Sequence, residues 1–216
     1  MVNSLESLRK CVQRALLPDL KLESVEPHNP VVVHQVPYPW QCLGAGNYAA
    51  VLAHPDYPEQ VVKVYAPGRP GLAEEVEVYR RLGDHPAYSR CYAYGDNFLV
   101  LRRLRGVTLY DCLQRGLPIS PQVIHDIDAA LDFARSRGLH PHDVHGRNVM
   151  LSEGRGLVVD ISDFWNAAPC RAWQDVKRAY WWIYRPLVYP LRLRVPYVLL
   201  DGVRAGYRLF RRLWPR

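Results

Sequence analysis

Apolar residues in the first half of the chain fall in short alternating runs, and in the second half they recur at three- and four-residue intervals. The first rhythm is that of half-buried strands, and the second that of helices with one apolar stripe. Residues 3 to 17 are an early exception. Leu5, Leu8, Val12 and Leu16 keep helical spacing, Asn3 with Glu6 can form a capping box, and Pro18 stops the run. Residues 19 to 39 carry Pro27, Pro30, Pro37 and Pro39, which predicts an extended connector with at most one strand around residues 31 to 33. From Trp40 the run WQCLGAGNYAAVLAH predicts a strand, a glycine turn and a returning strand. QVVKVY, residues 60 to 65, predicts a strand with Lys63 on the face of Val61 and Tyr65, opposite Val62 and Val64. Residues 70 to 82 predict a helix with Leu72, Val76, Tyr79 and Leu82 on one stripe and Glu75 beside it. Residues 91 to 94 and 98 to 101 predict two strands around the turn Gly95-Asp96-Asn97.

After Gly106 a short helix is predicted near residues 108 to 114, then a long one. Ser120 caps it, Pro121 fits its first turn, and Gly138 closes it. Val123, Ile124, Ile127, Ala130, Leu131 and Ala134 line its core face. Residues 149 to 151 and 157 to 159 predict a small hairpin with Asn148 and Asp160 at its ends. An aromatic helix is predicted over residues 171 to 185, with Trp173, Val176, Tyr180, Ile183 and Tyr184 in helical register. Pro186, Pro190 and Pro196 break the segment beyond it. A last helix over residues 197 to 214 puts Arg204, Arg208 and Arg212 on one stripe.

Composition adds less than charge does. With 216 residues, 49% apolar and 23% charged, the chain can form one sizeable domain or two small lobes. Its net charge of +7 sits at one end: residues 177 to 216 hold ten Lys or Arg against one acid, Asp201, while the remainder is close to neutral. The five cysteines have no C-x-x-C pairing and read as reduced residues of a cytosolic protein. No run has signal-peptide character or approaches the roughly 18 apolar residues of a membrane span. The expected compartment is the cytoplasm.

Candidate chemistry concentrates between Gly138 and Phe164, GLHPHDVHGRNVMLSEGRGLVVDISDF. Asp143 and Asn148 are spaced as D-x-x-x-x-N, and Asp160 ends an apolar run. Oxygen ligands of this kind hold Mg²⁺, and a further carboxylate can orient a hydroxyl for attack. Earlier, Gly44, Gly46, Ala49 and Val51 form G-x-G-x-x-A-x-V, a turn whose backbone N–H groups can approach phosphate oxygens. Lys63, inside an apolar strand, is either an edge residue with its head in water or a buried cation with a partner, for which Glu75 is the candidate.

In this order, over roughly residues 38 to 185, these parts resemble the eukaryotic-like protein kinase superfamily. The resemblance implies an α+β, bilobal fold with a β-rich N-lobe holding one helix and a small, mainly helical C-lobe. The implied division is 1–37 as N-terminal helix and connector, 38–105 as nucleotide-binding lobe, 106–190 as reduced C-lobe and 191–216 as a basic terminal helix. It implies ATP and Mg²⁺ as cofactors. Gly44, Ala45, Gly46, Asn47, Ala49 and Val51 would cover the phosphates, Lys63 with Glu75 would hold them, and Leu101, Arg102 and Leu104 would line the adenine pocket. Asp143 would be the catalytic base, and Asn148 and Asp160 the metal ligands, with Asp163-Phe164 as a competing frame for the second.

The departures bear on the acceptor. The H-R-D triplet is Pro141-His142-Asp143, with His140 or His142 as structural substitutes for the missing histidine. His145 stands where Ser/Thr kinases have a lysine, as in the H-G-D-x-H pattern of aminoglycoside and choline phosphotransferases, and would contact the γ-phosphate. D-F-G is Asp160-Ile161-Ser162, and no A-P-E motif comes after it. Asp175 resembles the aspartate that anchors the catalytic loop. The reduced C-lobe is similar to that of compact RIO-like and bacterial minimal kinases. The resemblance therefore implies a Ser/Thr protein kinase-like enzyme acting on a hydroxyl acceptor, with a small-molecule or lipopolysaccharide-sugar kinase and a pseudokinase scaffold as alternatives. The basic C-terminus suggests contact with an anionic membrane surface or nucleic acid.

Overall fold

The computed structural model describes residues 2–26 and 29–213, with side chains over residues 4–26 and 29–203 and at 205 and 206. The capping box expected at Asn3 and the arginine stripe expected at Arg204, Arg208 and Arg212 lie outside the described side chains. The chain divides into two compact units. One comprises Met1–Leu104, Phe133–Pro141 and Ile161–Ala167, and the other Arg105–Asp132, His142–Asp160 and Ala168–Arg216.

The first unit begins with α1 (Val2–Cys11), which continues without a break as a π-helical stretch, Val12–Leu16. An apolar stripe spaced by fours drifts on an α-helix of about 3.6 residues per turn. The wider turn, in which Leu17 N–H donates to Val12 O at 2.9 Å, brings the stripe back into line. Leu8, Val12 and Leu16 are all buried. Two strands are present where the prolines predicted at most one: β1 (Lys21–Glu23) and β2 (Val32–Gln35) pair antiparallel. Neither strand contains a proline.

The main sheet consists of β3 (Gln41–Ala45), β4 (Ala49–Ala53), β5 (Gln60–Tyr65), β6 (Cys91–Tyr94) and β7 (Phe98–Arg102), in the antiparallel order β3-β4-β5-β7-β6. Register sorts its side chains by face. Ala50, Val64 and Phe98 lie opposite one another, as do Leu52, Val62 and Val100, and all six join Leu8, Val12 and Leu16 in one core. Each of the valine, leucine and phenylalanine side chains removed from water contributes about 1.5–3 kcal/mol. Val51, Lys63 and Leu99 are likewise paired in register, and so occupy the other face with Val61 and Leu101.

On α2 (Leu72–Leu82) the buried stripe is Glu75, Val78, Tyr79 and Leu82. This corrects the stripe expected through Leu72 and Val76, which are only half-buried. The helix is rotated so that an acid, Glu75, joins the buried face in place of Leu72 and Val76.

The second unit holds α3 (Leu109–Arg115), α5 (Ala172–Ala179), α6 (Tyr197–Leu213) and the first three turns of α4 (Pro121–Ser136). It also holds a three-stranded sheet in the order β10-β9-β8, formed by β8 (Val107–Thr108), β9 (Val149–Ser152) and β10 (Arg155–Val158). All six apolar positions read from the pattern on α4 are buried. The hairpin approaches α4 closely. A Cβ on Gly156 would stand 2.4 Å from Val123 O, and Gly156 N–H donates to Asp126 Oδ2 at 3.0 Å.

The aromatic helix differs from expectation in two ways. It does not stop at Pro186 but runs on from α5 as a π-helical stretch, Tyr180–Val188. Proline supplies no N–H, and the wider turn carries the chain past the missing bond, with Tyr189 N–H donating to Tyr184 O at 2.8 Å. The same widening puts Tyr180 and Tyr184 inside and turns Ile183 outward.

Candidate active site

In the first unit the sheet presents Lys63 on the face shared with Val51 and Leu101, and α2 supplies the acid. Lys63 Nζ donates to Glu75 Oε1 at 2.9 Å and to Oε2 at 2.7 Å. The side chains are 13% and 1% exposed, so the pair is held largely away from water. Glu74, the neighbouring acid, is exposed. A buried carboxylate needs more than one partner, and Tyr65 provides another: its hydroxyl donates to Glu75 Oε2 and lies 3.5 Å from Gly71 O. Lys63 Nζ stands 5.7 Å from the centre of the Tyr65 ring. The first-turn position of Glu75 also sets its charge near the positive end of the helix dipole.

The glycine turn lies between β3 and β4. Gly46 N–H donates to Ala49 O at 2.9 Å, and Val31 N–H donates to Gly46 O at 2.9 Å. A Cβ at Gly44 would meet nothing within 4 Å, and one at Gly46 only Ala49 O at 4.0 Å. Neither glycine is required by packing. Ala45 and Asn47 are exposed, whereas Ala49 is buried at the start of β4.

Beyond Leu101, which is buried, the Arg102 side chain is already engaged. Its guanidinium donates to His85 O at 3.1 Å and to Tyr88 O, and Asp84 stands 3.9 Å away. Its main chain is engaged too, donating to Arg90 O at 2.8 Å and accepting from Ser89 Oγ at 2.7 Å. Arg103 N–H donates to Glu59 O at 2.8 Å, and Leu104 is half-buried.

In the second unit the loop from Asp143 to Asn148 is tied to itself. Asn148 Nδ2 donates to Asp143 O at 3.0 Å, and Asn148 N–H donates to His145 O at 2.8 Å. The first bond fixes the sense of the amide, leaving Oδ1 as its lone-pair atom. Val159 N–H donates to Asn148 O at 3.0 Å, which joins the loop to the residue before Asp160. Asp143 has φ 52°, a left-handed conformation that aspartate tolerates better than most residues, and its N–H donates to Cys170 Sγ at 3.3 Å. Its carboxylate is 52% exposed.

His145 lies beside that carboxylate, with Nε2 3.7 Å from Asp143 Oδ2. Its Nδ1 accepts from Arg147 N–H at 3.3 Å, so a neutral ring carries its proton on Nε2, facing the acid. His140 is exposed and binds Phe164 O through its backbone N–H at 2.9 Å, within the first unit. His142 is half-buried, and its Nδ1 is buried without a hydrogen-bond partner among the described residues. Asp160 closes the second unit's stretch His142–Asp160, whereas Asp163 belongs to the first unit. Asp175 stands 3.5 Å from Arg178, one turn on.

A Bacillus subtilis protein named "Putative serine/threonine-protein kinase YrzF" is 33% identical over 154 residues, which span 70% of this chain and 72% of that protein. The chain belongs to the protein-kinase-like superfamily. Its α+β class and antiparallel sheets are those expected of a member. No family model matches it. The solved kinase domain of Mycobacterium tuberculosis PknI, a single-residue mutant, is similar at 24% identity with a TM-score of 0.40, and the match covers 62% of each chain.

Four residues of this kinase-like chain brace candidate residues of their own unit without having been singled out from the sequence. Tyr65 had a signal, because it lies two residues from Lys63 on one strand face. Cys170 beneath Asp143 had none, being 27 residues away in sequence. Arg147 donates to Asp201 Oδ1 at 2.9 Å and stacks over the Tyr110 ring at 4.1 Å, while Tyr110 N–H donates to Gly146 O at 2.9 Å. Tyr110 and Arg147 thus brace the loop from its outer side, through partners that no local pattern announces.

Proposed function

We propose that this chain is an ATP- and Mg²⁺-dependent phosphotransferase of the Ser/Thr protein kinase type, moving the γ-phosphoryl group to a hydroxyl. The observation that carries the reading is the buried Lys63–Glu75–Tyr65 cluster. A buried ion pair adds little to stability compared with apolar residues of the same volume, so its presence on a sheet face is better explained by use. The donor sets fit the cofactors. Lys63 is a cation held by its partners, the glycine turn has open space above its backbone, and Asn148 has its amide oxygen left for a hard cation.

In this reading Lys63 fixes the α- and β-phosphates, and Glu75 with Tyr65 keeps its ammonium group aimed. Gly44, Ala45, Gly46 and Asn47 form the exposed turn that approaches the phosphate oxygens, with the Gly46 N–H closing the turn on Ala49 O and Ala49 and Val51 as the strand beneath. Leu101, Arg102 and Leu104 border the adenine, with the Arg102 guanidinium held away by the carbonyls of residues 85 and 88. Asn148 and Asp160 hold Mg²⁺, which when bound neutralises charge on the phosphates. The tie from Val159 to Asn148 favours Asp160 over Asp163. Asp143 accepts the acceptor's hydroxyl proton.

Such an enzyme would work in the cytoplasm, where ATP is available; among the described residues no helix is long and apolar enough to cross a membrane. The test is ATP turnover with labelled γ-phosphate, comparing the wild type with Asp143→Asn. Turnover that is lost in the variant supports the reading. Absence of turnover in both overturns it in favour of a pseudokinase scaffold.

A second reading concerns the acceptor. His145 presents Nε2 toward Asp143, where a Ser/Thr kinase has a lysine, and this favours a small-molecule or lipopolysaccharide-sugar acceptor. Labelled product recovered with sugars rather than with proteins would establish it over the first.

A further inference from the structure

The single acid among the last forty residues, Asp201, does not face outward alone. Its Oδ1 accepts from the Tyr110 hydroxyl at 2.6 Å and from Arg147 Nη2 at 2.9 Å. One turn earlier on α6, Tyr197 donates to Asp111 Oδ1 at 2.9 Å and stacks on Tyr110 at 5.6 Å. Tyr197 and Asp201 therefore give α6 one polar edge by which it is held to its own unit.

The rest of its described surface is turned to solvent, and much of it is apolar. Val198 is 82% exposed and Val203 73%. The preceding π-helical stretch and connector continue in the same way, with Trp182 80% exposed and Leu187 and Leu191 close behind. Arg185, Arg192 and Arg194 are exposed among them. A soluble domain rarely leaves this much aliphatic and indole surface uncovered. The combination of apolar side chains, indoles and arginines is that of a segment lying in a membrane interface.

We propose that the surface running from Trp181 through α6 docks on an anionic lipid bilayer. Charge complementarity selects this occupant. From Trp181 on, eight arginines are set against one acid, and that acid is already neutralised by Arg147. Nucleic acid would answer the charge but gives Leu187, Val198 and Val203 nothing to bury against. A second copy would bring like charges together. The inference stands apart from phosphotransfer and does not require it.

The test uses the full chain with vesicles of phosphatidylcholine alone and of phosphatidylcholine with phosphatidylglycerol, read by flotation and tryptophan emission. The chain floats with the phosphatidylglycerol vesicles, its emission moves to the blue, and salt weakens the association. Trp182→Ser weakens partition about tenfold. Arg194→Gln weakens it about fivefold. Both side chains are exposed, so neither change moves the melting temperature. Equal flotation with both vesicle types overturns the proposal, as does wild-type partition of both variants. Retention on single-stranded RNA that survives Trp182→Ser, without flotation, would assign the surface to nucleic acid instead. A blue shift that grows with protein concentration in the absence of vesicles, again without flotation, would assign it to self-association.

Discussion

Two acids beside cationic or potentially cationic partners sit in this chain in opposite surroundings. Glu75 is buried, faces Lys63 at 2.7 Å and takes a further bond from Tyr65. Asp143 is half-exposed, stands 3.7 Å from His145 and is held through its backbone rather than its carboxylate. In a low-dielectric setting a charge is as costly when unpaired as it is stable when paired, whereas near water either change is muted. The first site is therefore welded into the fold, and the second is presented by it.

Glu75→Ala breaks the contrast most deeply. It takes the Glu75 carboxylate away from Lys63 and Tyr65, and the unfolding free energy falls by about 3–5 kcal/mol, measured by urea titration. Asp143→Asn should separate function from fold. Turnover falls at least about a hundredfold while the urea midpoint holds, because the side chain is largely solvated. A large fall in stability would mean that the exposed acid is structural after all.

Tyr65→Phe sharpens the first half of the comparison. It removes one bond to Glu75 and costs about 1–3 kcal/mol of stability. The Michaelis constant for ATP rises more than the turnover number falls, which a purely structural tyrosine would not produce. The smallest expected effect is a pH dependence elsewhere in the second unit. The Arg155 guanidinium, assisted by Gln122 and Gly156 N–H, holds the Asp126 carboxyl down to about 2. A group depressed in the folded state contributes stability above its unfolded value of 3.8, and that contribution is lost as pH falls toward 2. The urea midpoint should drop over that interval in the wild type and drop less in Asp126→Asn.

Much of the first site was legible because its rules are local. Alternation puts Lys63 and Tyr65 on one face, and a helical interval puts Glu75 in line with Val78, Tyr79 and Leu82. The stripe read through Val76 was off by part of a turn, since an apolar pattern cannot register that a buried cation will draw the acid inward. The π-helical widenings were missed for a related reason. Spacing by fours fits either helix, and only packing decides which turn the backbone takes.

The second site was legible as a list of residues, not as an arrangement. D-x-x-x-x-N and a strand-end aspartate can be read from the chain, but the bonds that shape the loop run to backbone carbonyls or to residues far along it. Cys170 under Asp143 and Asp201 against Arg147 are of this kind, as is the capture of Arg102 by the carbonyls of residues 85 and 88.

By itself the sequence determined the kinds of elements, the faces of the main sheet, Glu75 as the candidate partner of Lys63 and the asymmetry of charge. These arise from periodicity and composition, which act over a few residues or over a whole segment. Tertiary structure alone decided that the one acid of the basic terminus faces Arg147, that Tyr65 completes the Glu75 cluster, and that Trp182 and Val198 remain uncovered. Each of those depends on which surfaces meet, and surfaces meet only after distant parts of the chain have packed.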